Sequence, residues 1–257
     1  MMWEKIAARI EEFIRDCVES AKARGVVVGV SGGVDSAVTA FLCVRALGSE
    51  RVLATVMPEV GVTPEEDVRD ALELCRILGI EYRYVEINEV VETFLKKLGE
   101  GSEVAKANLK PRIRMTVNYY YANSLNYLVA GTGNKSELMI GYFTKYGDGG
   151  VDFLPIGDLY KTEVWELAKF LGVPEKIVKK KPTAGLWVGQ TDEGELGITY
   201  VKLDKILKAL EKGYSVEEIV EKLGVSREEV EKVLGMVEAS EHKRRLPPVA
   251  RVRDLIG

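Results

Sequence analysis

The sequence predicts a doubly wound, mostly parallel α/β sheet with a helical hairpin near its C-terminus. Three observations carry this expectation. Short unbroken apolar runs such as Val26-Val27-Val28-Gly29-Val30 alternate with segments of helical period, as in strands buried on both faces and joined by helical crossovers. Glycines and prolines fall at the joints between them. Two capping signatures, Ser215-Val216-Glu217-Glu218 and Ser226-Arg227-Glu228-Glu229, follow one another across Gly224-Val225. With 257 residues, a single domain spanning 1–257 is expected.

The elements follow in order. Residues 3–23 have amphipathic helical spacing and end near Gly25. Residues 26–30 are the first strand, Ser31-Gly32-Gly33 a turn, and 37–47 a helix stopped by Gly48. Residues 51–57 are the second strand. Thr63 is the expected cap of the next helix, with Pro64 at its first position and Glu66 closing a capping box. Val68, Ala71, Leu72, Cys75 and Leu78 share one face of it, and Gly79 ends it. Residues 82–87 form the third strand. Pro111 is expected to start a helix that runs to Leu125, before a fourth strand at 127–130. A helix at 162–171 is stopped by Gly172 and Pro174. Ligands of such sheets sit beyond the C-terminal strand ends, so residues 31–36, 57–63 and 131–137 should line one rim.

Composition excludes several functions. Lys plus Arg is 36 against 40 for Asp plus Glu, a net charge of −4, so no basic excess points to nucleic acid. Residues 215–237 have helix-turn-helix spacing, but Glu228, Glu229 and Glu231 stand against Arg227 and Lys232. DNA phosphates would repel that face, so the pair reads as a hairpin packed on the core. Three scattered cysteines make neither a disulfide framework nor a CxxC site, and the single histidine, His242, excludes a multi-histidine metal centre. No apolar run approaches the roughly 20 residues of a membrane span, and the charged, amphipathic N-terminus is no signal peptide. A cytoplasmic location is expected.

Ser31-Gly32-Gly33-Val34-Asp35-Ser36, between a buried strand and a helix, is the strongest local signal. Glycines allow close backbone approach, and free N–H groups at a helix start favour a phosphate. Asp35 would repel that phosphate unless a cation such as Mg²⁺ lies between them. A Walker A loop is excluded because no lysine follows the glycines. Gly29-Val30-Ser31-Gly32-Gly33 formally matches the hydrolase pattern G-x-S-x-G, with His242 downstream, but that reading leaves Asp35 and Ser36 without a role. A merely tight turn is the bland alternative. Gly131-Thr132-Gly133-Asn134-Lys135-Ser136-Glu137 is either another such turn or a nucleotide contact through Thr132, with Glu137 joining Asp35 on Mg²⁺. Residues 143–152 form a glycine-rich loop with one cation and two carboxylates. Lys179-Lys180-Lys181 reads as a solvated charged face, and Tyr119-Tyr120-Tyr121 as packing or a subunit interface.

The hexapeptide SGGVDS resembles the pyrophosphate loop of the ATP pyrophosphatase superfamily, whose fold is Rossmann-like. Phe143-Thr144-Lys145-Tyr146-Gly147-Asp148-Gly149-Gly150 is similar to the FTKYGDGG signature of NAD synthetases. So are residues 154–162, 180–184, 195–200 and 241–245, in order along nearly the whole chain. A tRNA-modifying relative is disfavoured by the missing CxxC and the missing basic face. The resemblance implies that ATP adenylates the nicotinate carboxylate of deamido-NAD and that ammonia then displaces AMP. It implies a homodimer, and an ammonia-dependent form because 1–257 leaves no room for a glutaminase domain. Matched position by position, Gly29, Val30, Ser31, Gly32, Gly33, Val34, Asp35, Ser36, Thr132, Lys161 and Thr183 would contact ATP. Asp35 and Glu137 would hold Mg²⁺, and Asp35 and Lys161 would be catalytic. Arg112, Lys145, Asp152, His242 and Lys243 would contact deamido-NAD, with Arg114 two positions from Arg112.

Overall fold

The apolar runs are strands and the amphipathic stretches are helices in the computed structural model, which describes residues 2–256. In chain order these are α1 (Met2–Ser20), β1 (Gly25–Gly29), α2 (Val34–Leu47), β2 (Val52–Val56), α3 (Glu65–Leu78), β3 (Glu81–Tyr84), α4 (Asn88–Leu98), α5 (Glu103–Leu125) and β4 (Tyr127–Ala130). The chain continues with α6 (Lys135–Ile140), α7 (Lys161–Leu171), α8 (Glu175–Val178), α9 (Asp192–Leu196), α10 (Tyr200–Glu211), α11 (Val216–Leu223) and α12 (Arg227–Ala239).

The four strands are parallel, in the order β3-β2-β1-β4. The chain winds outward from β1 to β3, then returns to place β4 on the other side of β1. A switch point therefore opens between the C-terminal ends of β1 and β4, where parallel sheets bind ligands. Phe153 bridges Ala130 in parallel and carries the pairing one step past β4.

Strand period two divides the core. Val26 and Val28 pack with α1, α2 and α7 through Ile14, Val38, Leu42, Val164 and Leu167, all fully buried. Val27, with Leu53 and Val129, packs on the opposite face against Ala122 of α5. A separate core joins α6 and α10 to α11 and α12 through Ile140, Leu203, Leu207, Ile219, Val230 and Val233. The expected hairpin lies here, and both capping boxes form: Ser215 accepts from Glu218 N–H (3.2 Å) and Ser226 from Glu229 N–H (3.1 Å). Arg227 pairs with Glu217 and Glu231 on this hairpin.

Two local expectations are corrected. Pro111 does not start α5. The helix begins eight residues earlier, where Ser102 accepts from Ala105 N–H (3.2 Å), and passes through Pro111. Pro111 sacrifices one helical hydrogen bond. Its buried ring packs against the 143–150 loop, where a Cβ on Gly147 would stand 3.1 Å from Pro111 Cβ. Thr63 does not cap α3 either. Its hydroxyl accepts from Glu59 N–H (3.0 Å), closing the preceding turn, and the N-cap position falls to Pro64 without a side-chain bond. Among the described residues no helix is long and apolar enough to cross a membrane.

Candidate active site at the sheet switch point

The loop after β1 is built so that its backbone can face a ligand. Val30 N–H still pairs with Thr55 O (2.9 Å), and the chain then turns through Gly32 at φ +85°. A Cβ on Gly32 would lie 2.3 Å from the Asp67 carbonyl oxygen, so both conformation and space require glycine. Two serines brace the turn: Ser36 Oγ accepts from Ser31 N–H (3.2 Å) and donates to Gly33 O (3.0 Å). The first turn of α2 follows, with its free N–H groups and Asp35 at the rim of the cleft.

Asp35 meets the start of α6. Asn134 caps that helix by accepting from Glu137 N–H (3.0 Å), while Glu137 Oε2 accepts from Asn134 N–H (3.2 Å). The Asn134 side-chain amide donates to Asp35 Oδ1 (2.9 Å). Lys161, the first residue of α7 and only 2% exposed, donates from Nζ to Asp35 Oδ2 and lies 3.5 Å from Glu137 Oε1. Its ammonium also sits 5.1 Å from the centre of the Tyr200 ring. Burial opposes the lysine charge, but Asp35 and Glu137 outweigh it and raise the Lys161 pKa. Burial, with the negative charge of Asp35, pushes the Glu137 carboxyl up to about 8 against the pull of Lys161.

Two carboxyl groups thus converge on the Lys161 ammonium at the mouth of the glycine turn. Oxygen donors of this kind fit Mg²⁺. Among the described residues no cluster of three or more His, Cys, Asp or Glu forms a metal cage. A hard cation here would take its remaining ligands from phosphate oxygens and water.

These groups open into a cleft of about 530 Å³ that Thr132, Thr183, Arg114 and Lys243 also line. Lys243 donates to Gly141 O (2.7 Å) and Phe143 O (2.8 Å), and burial lowers its pKa. Arg114 donates to Met57 O (3.0 Å). Arg112, Lys145, Asp152 and His242 are not among the residues lining this cleft. Three of them form a connected string: Arg112 donates to Lys145 O (3.3 Å), and Lys145 Nζ to His242 O (2.9 Å). Asp152 accepts from Val129 N–H (2.7 Å) and from the Tyr119 hydroxyl (3.0 Å). The hydrolase alternative is not assembled, because the Ser31 hydroxyl is engaged with Ser36 and Gly33 and His242 stays outside the cleft.

Lys180 corrects the view of 179–181 as a solvated face. Lys179 is exposed and pairs with Glu175, but Lys180 Nζ donates to Asp67 Oδ1 (2.6 Å), Asp70 Oδ2 (2.5 Å) and Gly32 O (3.2 Å). It ties α3 to the glycine turn from 148 residues away. The acidic lining contributed by Asp192 and Glu195 also escaped the reading by motif. Asp192 accepts from the buried Tyr200 hydroxyl (3.1 Å), and Glu195 accepts from Tyr142 (2.8 Å) and Gln190 (2.9 Å). Glu195 lay within a segment singled out in the sequence, but nothing local marked its partners.

Lys180→Gln should loosen the turn by removing the cation that joins Asp67, Asp70 and the Gly32 carbonyl. Losing charged hydrogen bonds of this kind costs about 1.5–3 kcal/mol, so KM for a triphosphate ligand should rise roughly tenfold or more. An unchanged KM in steady-state kinetics would show that the turn keeps its shape without Lys180.

The geometry can be set beside known proteins. The sequence pattern of the NAD synthase family matches residues 6–247. An NH3-dependent NAD(+) synthetase of Archaeoglobus fulgidus is 63% identical over 256 residues, covering 100% of each chain. A solved NMN synthetase from Francisella tularensis superposes with a TM-score of 0.86 at 37% identity, over 96% of this chain and 98% of that one. An NH3-dependent NAD synthetase from Campylobacter jejuni does so with a TM-score of 0.83 at 36% identity, over 98% and 100%. The parallel sheet, the braced glycine turn at its switch point and these end-to-end likenesses lead to one statement: the chain belongs to the NAD synthase family.

Proposed function

We infer that the protein is a ligase that amidates the nicotinate carboxylate of deamido-NAD with ammonia, at the expense of ATP. A carboxylate oxygen attacks the α-phosphorus of ATP, the bond to the bridging oxygen breaks, and pyrophosphate leaves. Ammonia then adds to the acyl carbon of the adenylate, and AMP leaves as the C–N bond forms and a proton is lost. The observation that carries this reading is the Lys161 ammonium held against Asp35 and Glu137 at the mouth of the glycine turn. Such chemistry requires positioning and a fixed positive charge where negative charge develops, with no covalent nucleophile on the protein.

In this reading residues 29–36 cradle the phosphates, Thr132 and Thr183 contact the nucleotide, and Lys161 stabilises the leaving pyrophosphate. Asp35 and Glu137 would hold Mg²⁺, which supplies charge neutralisation for the polyphosphate. Lys243 contacts deamido-NAD from within the cleft, while Arg112, Lys145, Asp152 and His242 do so from the adjoining face. The proposed homodimer contact runs along α5, where Tyr120 is exposed. The stretch 1–257 acts as one amidating domain in the cytoplasm.

The test is an incubation with ATP, MgCl₂ and deamido-NAD, with and without ammonium, following pyrophosphate, AMP and NAD. The reading requires NAD and AMP only when all components are present. Nicotinate mononucleotide, offered in parallel, tests a mononucleotide in place of the dinucleotide, and faster amidation of it would change the assigned substrate. Glutamine in place of ammonium should be inert, and no ATP cleavage at all would overturn the reading.

A further inference from the structure

We propose that Asp204 is a positioning residue that sets Lys161 against Glu137 from a helix outside the sheet; the proposal rests on the amidation reading above. Asp204 lies on α10 and is 2% exposed, next to Leu203 of the second core. Its Oδ1 accepts from Ser136 Oγ (2.5 Å) and its Oδ2 accepts from Thr162 N–H (2.8 Å). Ser136 Oγ in turn accepts from Lys161 N–H (2.9 Å). One carboxylate thus reaches the backbone of Lys161 and Thr162, and the residue next to Glu137.

The arrangement answers a structural need of α7. The first N–H groups of a helix have no partner within it. Tyr160, at the N-cap position, makes no side-chain cap bond. Asp204 supplies the acceptor from a neighbouring helix, directly and through Ser136, and a negative charge suits a helix N-terminus. The same bonds clamp α6 to α7. Glu137 and Lys161 each sit one peptide from an atom held by Asp204, so their separation depends on a residue that faces no substrate. A misplacement near 1 Å at a reacting centre can cost roughly a hundredfold in rate.

The experiment uses full-length Asp204→Asn, Asp204→Ala and Ser136→Ala. We expect kcat for NAD formation to fall about ten- to a hundredfold in Asp204→Ala, with KM for ATP and deamido-NAD held within about threefold. Asp204→Asn, which keeps one acceptor, should recover part of the loss, and Ser136→Ala should fall between the two. Amide exchange of residues 160–164, measured without substrates, should speed up in all three while α12 is unchanged. A kcat within twofold of wild type, a parallel rise of both KM values, or unaltered exchange at 160–164 would overturn the proposal. Should Asp204→Ala fail to fold, Asp204→Asn and Ser136→Ala decide. A wild-type protein inactive on deamido-NAD would instead remove the amidation reading, with the exchange measurement still reporting on the clamp.

Discussion

Lys161→Met is expected to lower kcat for NAD formation by about 10²–10³, with the protein still folded and still able to bind ATP. Lys161 is buried, charged, and set against Asp35 and Glu137, where we propose that the polyphosphate binds. Losing one preorganised electrostatic group in such a site costs about 2.7–4 kcal/mol of transition-state stabilisation. Lys161→Arg should not rescue it, because the planar guanidinium does not replace a compact ammonium in a buried site shaped for the latter. Single-turnover measurement of pyrophosphate release isolates the step. If Lys161→Met released pyrophosphate at the wild-type rate, Lys161 would be a structural counter-ion only.

Glu137→Gln separates stability from activity. Burial and Asp35 hold the Glu137 carboxyl at about 8, above the ordinary 4.5. Between these values the folded protein binds a proton that the unfolded chain does not. Stability therefore falls as pH rises through that window, and the deficit is complete above about pH 8. Gln does not titrate, so Glu137→Gln should raise the melting temperature in EDTA, little near pH 5 and most near pH 9. The same variant should lose most of its ATP cleavage at every pH, because one of the two carboxylates of the proposed cation site is gone. Thermal melts of both proteins at pH 5, 7 and 9 check the first half. Parallel curves across that range would mean that Glu137 is ionised throughout and that Lys161 neutralises it fully. Added Mg²⁺ should narrow the gap by favouring ionised Glu137 in the wild type, and an unchanged gap would count against a cation at Asp35 and Glu137.

Much of this protein is decided within a few residues of chain. The uniform apolar run at 26–28, the glycine turn behind it and the capping boxes at Ser215 and Ser226 are legible because period, turn conformation and caps depend on near neighbours. The same locality explains the errors. Thr63 had every local mark of a cap, yet its hydroxyl is used by Glu59 N–H, and Pro111 had the mark of a helix start, yet a buried contact holds it inside α5. The sequence reading set Asp35 and Glu137 on one cation without saying that the Lys161 ammonium lies against both.

Their meeting depends on strand order β3-β2-β1-β4, which brings the end of β1 beside the end of β4 and sets a lysine 126 residues from Asp35 against it. Lys180 on Gly32 and Asp204 on Ser136 are of the same kind, spanning 148 and 68 residues. A buried charge is stable only with a partner, and the partner is chosen by packing of distant elements rather than by neighbours in the chain. The sequence by itself therefore determined most strands and helices and the glycine turn, while only the tertiary structure decided that Lys161, Lys180 and Asp204 meet their distant partners, because those pairings exist only once the elements have packed on the sheet.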